Sequence, residues 1–213
     1  LKANTTGDDN IAIGHQSQFT VLTGSGNIGI GYQTLYDNTS THNIAIGYQA
    51  LFDNTATSNI GIGKQALFAN TSGTGNVSVG RESLKANTSA IKNTAVGQYA
   101  LLTTQTGHSN TAIGHEALKT NTSNYNTAVG YAAMRYHSGI RNLAFGVAAL
   151  QGVVGNIGTG DDNIAIGYTS LNSNTTGSSN IGIGYEALYS NTTGDNNVAV
   201  GESALMNATS SNN

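Results

Sequence analysis

The chain has 213 residues and a formal net charge of −3, and only 9% of it is Asp, Glu, Lys or Arg. So weak a charge offers neither nucleic acid nor an anionic membrane surface an electrostatic attraction. The lack of Cys removes disulfide frameworks and thiolate metal sites, and no apolar run is long enough to span a membrane.

In chain order the text is a repeat. An Asn, taken as position 0, opens a phrase at Asn10, Asn27, Asn43, Asn59, Asn76, Asn93, Asn110, Asn126, Asn142, Asn163, Asn180 and Asn197. The step is 16 or 17 residues, except for one of 21 after Asn142. A Gly stands at +4 in every unit, as at Gly31, Gly47 and Gly63. Leu stands at +8, as at Leu35, Leu51 and Leu67, with Gln18 and Met134 the departures. Leu1 and Asn213 fall where a neighbouring unit's Leu and Asn belong. The reading is therefore a single repeat array over 1–213, cut mid-unit at both ends and excerpted from a longer chain.

Within a unit, +1 and +3 are mostly Ile or Val and +2 is always Ala, Gly or Ser. Such alternation predicts a short strand. The bulky face is expected in the coil's own core, and the small +2 face against water or another chain. Gly at +4 fits a corner with positive φ. The Asn at 0 fits a turn whose amide stacks on the Asn of the next coil, so that Asn27, Asn43 and Asn59 form a ladder. The second side, "YQTLY" at 32–36 or "YQALF" at 48–52, fits a second strand or a short helical turn. Phrases such as "NTTG" close the unit as a polar loop. The expected fold is all-β, a parallel solenoid of about twelve coils of 16–17 residues.

The phrases "NVAVGESAL" (197–205) and "NVSVGRESL" (76–84) resemble the head repeats of trimeric autotransporter adhesins of the YadA type. Phrases such as "GYQALF" (47–52) and "GYEALY" (184–189) resemble repeats in phage-type tail fibres. The resemblance implies a left-handed parallel β-roll assembled as a homotrimer, extracellular, on a cell surface or on a virion, contacting a host receptor or glycan. This chain departs from the adhesin pattern by two or three extra residues per unit and by the Leu at +8.

Candidate sites are few. Asp8–Asp9, Asp161–Asp162 and Asp195 precede position 0, and read as turn residues more readily than as a calcium site. His15 and His115 share +5 with unrelated residues, which points to a tolerant surface rather than a metal ring. His42, His108 and His137 read as loop residues without a partner. Tyr32, Tyr48, Tyr131, Tyr168 and Tyr185 at +5, with Tyr36, Phe52, Phe68 and Tyr189 at +9, form an aromatic strip. It fits burial between chains better than a sugar-stacking platform. Glycosylation sequons, such as those at Asn38, Asn70 and Asn87, read as turn geometry. The long unit from Asn142 replaces its polar loop with Val153, Val154 and Ile157, a candidate surface contact along with Tyr32, Tyr48 and Tyr185. The text supplies no catalytic group, metal site or cofactor site. The expected function is a structural or adhesive fibre segment that inserts into no membrane and binds no nucleic acid. An ice-binding solenoid and a polysaccharide-binding or -degrading fibre domain are the alternatives.

Overall fold

The computed structural model describes residues 4–20 and 23–213; Leu1, placed above in a preceding unit, lies outside them. The fold is an all-β parallel solenoid with one three-residue strand per coil: β1 (Ile11–Ile13), β2 (Ile28–Ile30), β3 (Ile44–Ile46), β4 (Ile60–Ile62), β5 (Val77–Val79), β6 (Thr94–Val96), β7 (Thr111–Ile113), β8 (Thr127–Val129), β9 (Leu143–Phe145), β10 (Ile164–Ile166), β11 (Ile181–Ile183) and β12 (Val198–Val200). Two compact units, Leu1–His108 and Ser109–Asn213, each carry six strands. In the first unit β1 to β6 pair in parallel in chain order, and equivalent positions align, as in Ile28↔Ile44 and Ile44↔Ile60. In the second unit β7 to β12 do the same, as in Ile164↔Ile181.

The inside and outside of the strand are the reverse of the sequence expectation. Ala45, Ala95 and Ala165 at +2 are fully buried, whereas Ile and Val at +1 and +3 are half-buried or exposed. The cause is the narrow coil. Leu35, Leu51 and Leu67 at +8 reach inward from the opposite side and are fully buried. A Cβ added at Gly61 would stand 3.1 Å from Leu51 Cγ, so only a small side chain fits opposite each Leu. The branched residues are left to point outward, and the +2 positions cannot meet another chain.

The second side is neither strand nor helix; among the described residues there is no helix at all. Gln49 and Leu51, at +6 and +8, have φ of +52° and +50°, and Gln65 and Leu67 repeat this at +55° and +51°. Two left-handed residues in three are incompatible with a right-handed helical turn. The amides instead bond between coils: Gln49 N donates to Tyr32 O (2.9 Å), Leu51 N to Ala66 O (3.0 Å) and Asp53 N to Phe68 O (3.2 Å). Helix propensity in "YQALF" is overridden because each of these amides finds its acceptor one coil away.

Two columns of asparagine lie inside the coils. At position 0 the side-chain carbonyl accepts the backbone N–H of the next coil's Asn: Asn43 N to Asn27 Oδ1 (3.0 Å), Asn59 N to Asn43 Oδ1 (2.9 Å) and Asn76 N to Asn59 Oδ1 (2.9 Å). A second column at +11 corrects the reading of that segment as a simple polar loop. Asn38, Asn54, Asn70 and Asn87 are fully buried. Asn54 Nδ2 donates to Asn38 Oδ1 (3.1 Å), Asn70 Nδ2 to Asn54 Oδ1 (2.7 Å) and Asn87 Nδ2 to Asn70 Oδ1 (2.8 Å). Sequons on this column are closed to modification in the folded coil.

Gly47 tests how closely the coils are stacked. Its φ is +127°, and an added Cβ would stand 2.8 Å from Gly63 O in the next coil. Gly47→Ala is expected to destabilise the chain by about 2–4 kcal/mol, through strained backbone plus steric overlap. Leu51→Ala is expected to cost a similar ~2–5 kcal/mol by opening a cavity. Urea titration of each variant measures both.

Candidate interaction surface

The outward strand face is a regular feature of the surface of each unit. Its +1 and +3 columns are Ile, Val, Thr, Leu or Phe in every coil, and no charged residue occupies either position. Ile113, Phe145 and Val200 are 41%, 56% and 68% exposed. Thr94, Thr111 and Thr127 place hydroxyl-bearing side chains at +1.

Beside this face, the +5 residues form stacked columns. In the first unit His15, Tyr32 and Tyr48 lie face to face, with ring centroids 5.4 and 5.2 Å apart and planes within 10°. In the second unit His115 stacks on Tyr131, and Tyr168 on Tyr185. The two histidines thus belong to ring columns, and among the described residues no group of three or more His, Cys, Asp or Glu converges to hold a metal. Tyr32, Tyr48 and Tyr185 are 41–48% exposed, but their faces cover one another and they present edges and hydroxyls. A sugar stacks on a ring face, so this geometry disfavours a face-on platform. At +9, Phe19, Tyr36, Phe52 and Phe68 stack in the same way at 5.0–5.3 Å. Where the +5 column passes from Tyr48 to Lys64, an open pocket of about 390 Å³ is lined by Tyr48, Lys64 and Gln65. Lys64 Nζ lies 5.8 Å from the Tyr48 ring.

Three of the acidic turn residues are engaged locally. Asp161 Oδ1 accepts Ile140 N (2.7 Å), Asp195 Oδ1 accepts Ser178 N (2.7 Å), and Asp162 takes two hydrogen bonds from Arg141 (2.6 and 2.7 Å). The Arg141 hydrogen bonds hold Asp162 below the usual carboxylate range.

The long coil projects from the second unit. Val153 and Asn156 form an antiparallel bridge, Gly152 and Gly155 turn with φ of +77° and +80°, and Val154 and Ile157 are 77% and 50% exposed. The three histidines read as unpartnered loop residues need correction in two cases. His108 Nδ1 accepts Ile91 N (3.0 Å). His137 is fully buried, with Nε2 2.8 Å from Gly160 O. Its position, +11, carries Asn in most other coils, and that departure was the available sequence signal.

No family model, no curated protein and no solved structure matches the chain.

One ionic cluster makes a pH prediction. Glu116 is bound by Lys119 Nζ (2.7 Å) and Arg135 Nη2 (2.8 Å). Burial pushes its carboxyl up, but the Lys119 hydrogen bond and the Arg135 and Lys119 charges outweigh burial and bring it below the ordinary value. The unfolded chain therefore binds the proton more readily. This stabilisation is present above the unfolded pKa and fades as pH falls through the folded one. Glu116→Gln should melt below the wild type near neutrality, and the gap should close toward about pH 3. Melting temperatures measured across that range check it.

Proposed function

We propose that the chain is a structural or adhesive fibre segment that assembles as a homotrimer through its outward strand face, in an extracellular setting on a cell surface or virion. The observation that carries the reading is the uncharged, two-column apolar strip on a chain that otherwise buries almost nothing larger than one Leu per coil. Monomer surfaces scatter exposed apolar residues singly, and an extended strip of them marks an interaction face. A second copy fits it best, because a periodic flat face is complementary to itself and carries no charge to oppose close approach. The resemblance of the coil phrase to YadA-type heads and phage-type tail-fibre repeats supports the same assembly. Fibre function then consists of length, stiffness and repeated presentation of loops to a receptor or glycan, with no catalytic step.

The same face supports a second reading. A regular lattice of methyls, with hydroxyl-bearing side chains at Thr94, Thr111 and Thr127, is the kind of surface an ice-binding solenoid presents. The two readings make opposite demands, since a trimer covers this face and ice requires it bare. Sedimentation equilibrium at micromolar concentration separates them. A trimer that Ile46→Glu with Ile183→Glu converts to monomer supports the fibre reading. A stable wild-type monomer sinks it, and thermal hysteresis in that monomer would establish the ice-binding one.

A further inference from the structure

The long coil after Asn142 lacks the buried +11 amide that most other coils carry. In the coil of Asn59, the carbonyl of Gly73 accepts two side-chain bonds, from Asn59 Nδ2 (2.8 Å) and from the +11 residue Asn70 Nδ2 (2.9 Å). The coil of Asn163 repeats this with Gly177 O, which accepts Asn163 Nδ2 (2.9 Å) and Asn174 Nδ2 (2.8 Å). In the long coil the matching carbonyl is Gly160 O. Asn142 Nδ2 supplies the first bond (3.0 Å). The second donor is missing, because +11 is Val153 and faces solvent. His137, from the +11 position of the coil before, reaches across and fills the vacancy with Nε2 at 2.8 Å.

That substitution fixes the protonation state. Gly160 O only accepts, so Nε2 carries the hydrogen and Nδ1 is the bare nitrogen. Nδ1 is buried and has no hydrogen-bond partner. It faces Gly158, where even a Cβ would collide with it. A proton on Nδ1 would therefore create an enclosed cation with an unsatisfied N–H. The charged group facing the ring is Asp161, whose Oδ1 is taken by Ile140 N. Asp162 is paired with Arg141, and residues 172–176 of the following coil are Asn, Ser, Asn, Thr and Thr.

We infer that His137 is an acid-sensitive latch: in its neutral form it holds Gly160, adding to backbone bonds such as Gly152 N to Asn172 O and Gly158 N to Tyr136 O, and its protonation loosens the projecting segment 151–160 with its apolar Val153, Val154 and Ile157. Burial also depresses the basicity of the ring, partly opposed by the Gly160 hydrogen bond and the Asp161 charge. The sign follows. A folded-state value below the unfolded one means that the released state takes up the proton. The latch is then secure above the ordinary imidazole range and loosens as pH falls below it. The inference does not depend on the trimer, since every group in it belongs to one chain.

Hydrogen exchange on the whole 213-residue chain tests it, with residues 172–178 as internal reference. Between about pH 7.5 and about pH 5, exchange of 151–160, corrected for intrinsic rates, should rise on the order of tenfold relative to the reference. His137→Gln places a permanently neutral N–H donor at similar reach and should abolish that rise. Equal opening in His137→Gln, or no opening in the wild type, overturns the latch. Should the variant fail to fold, NMR titration of the wild-type His137 ring decides. A midpoint coincident with loop opening supports the latch, and a ring that titrates without loop opening overturns it.

Discussion

The structure depends on one repeated bond within each unit, in which the side-chain carbonyl of a position-0 asparagine accepts the backbone N–H of the asparagine one coil on, as from Asn43 to Asn59 and from Asn163 to Asn180. In several coils the same carbonyl also accepts the next asparagine's side-chain amide, as Asn59 Oδ1 does from Asn76 Nδ2 (3.2 Å), and an unpaired buried amide costs on the order of 1–3 kcal/mol. The bond also fixes register, because a coil slipped by one residue would strand both its own amide and its neighbour's. The +11 column adds a second such constraint inside the same coil, and the two amides meet on a shared carbonyl, as Asn59 and Asn70 do on Gly73 O. Polar networks of this kind specify a structure sharply when every member is paired.

The amide columns leave little room for anything else inside. With two asparagines, an Ala at +2 and commonly another at +7, a coil admits one branched aliphatic group, the Leu at +8. Turning the chain so tightly draws the backbone into the left-handed region at +6, +8 and −1, positions occupied mostly by residues other than Gly. Each costs about 1–2 kcal/mol in isolation. The offset comes from inter-coil hydrogen bonds, made at +1, +4, +6, +8 and +10, rather than from apolar burial. The bulky strand residues are thereby displaced outward, and the apolar outer face follows directly from the polar interior.

The sequence made the coil, its period, its strand and its glycine corner legible because each depends on a residue type that recurs at fixed spacing. Asn27, Asn43 and Asn59 were recognisable as a ladder for the same reason. The inside and outside of the strand were not. Alternation says that Ile44 and Ala45 face opposite ways, but which one faces inward depends on the space left by Leu35 and Leu51 on the other side of the coil. The second side misled because "YQALF" carries real helix propensity, overridden by hydrogen bonds between coils that no local window contains. The column at +11 was hidden in text that reads as turn chemistry. Asn-Thr-Ser is equally good as an exposed loop and as a buried amide followed by a hydroxyl that donates to the next coil, as Thr71 Oγ1 does to Thr88 O.

Because the interior tolerates so little, variation between coils is driven outward or into compensating pairs. The +5 position ranges over Tyr, His, Lys, Arg, Gln, Val and Glu, and its side chains meet their equivalents in adjacent coils or, as Arg81 does with Glu82, a residue at +6. Where the interior does change, the new polar group makes a hydrogen bond within the coils. Gln18 replaces the buried Leu, and its Nε2 is held by Ile11 O (2.8 Å) and Asn27 O (3.2 Å). Ser78 replaces Ala at +2, and its hydroxyl is 2.5 Å from that of Ser83, which stands where Ala is usual. The missing amide of the long coil is met by an imidazole from the coil before. Each exception brings in a buried polar group whose donor finds an acceptor, while Gln18 Oε1 and His137 Nδ1 stay without a hydrogen-bond partner. A coil whose buried carbonyl is met by a titratable group, unlike one met by an amide, keeps that bond only over part of the pH range.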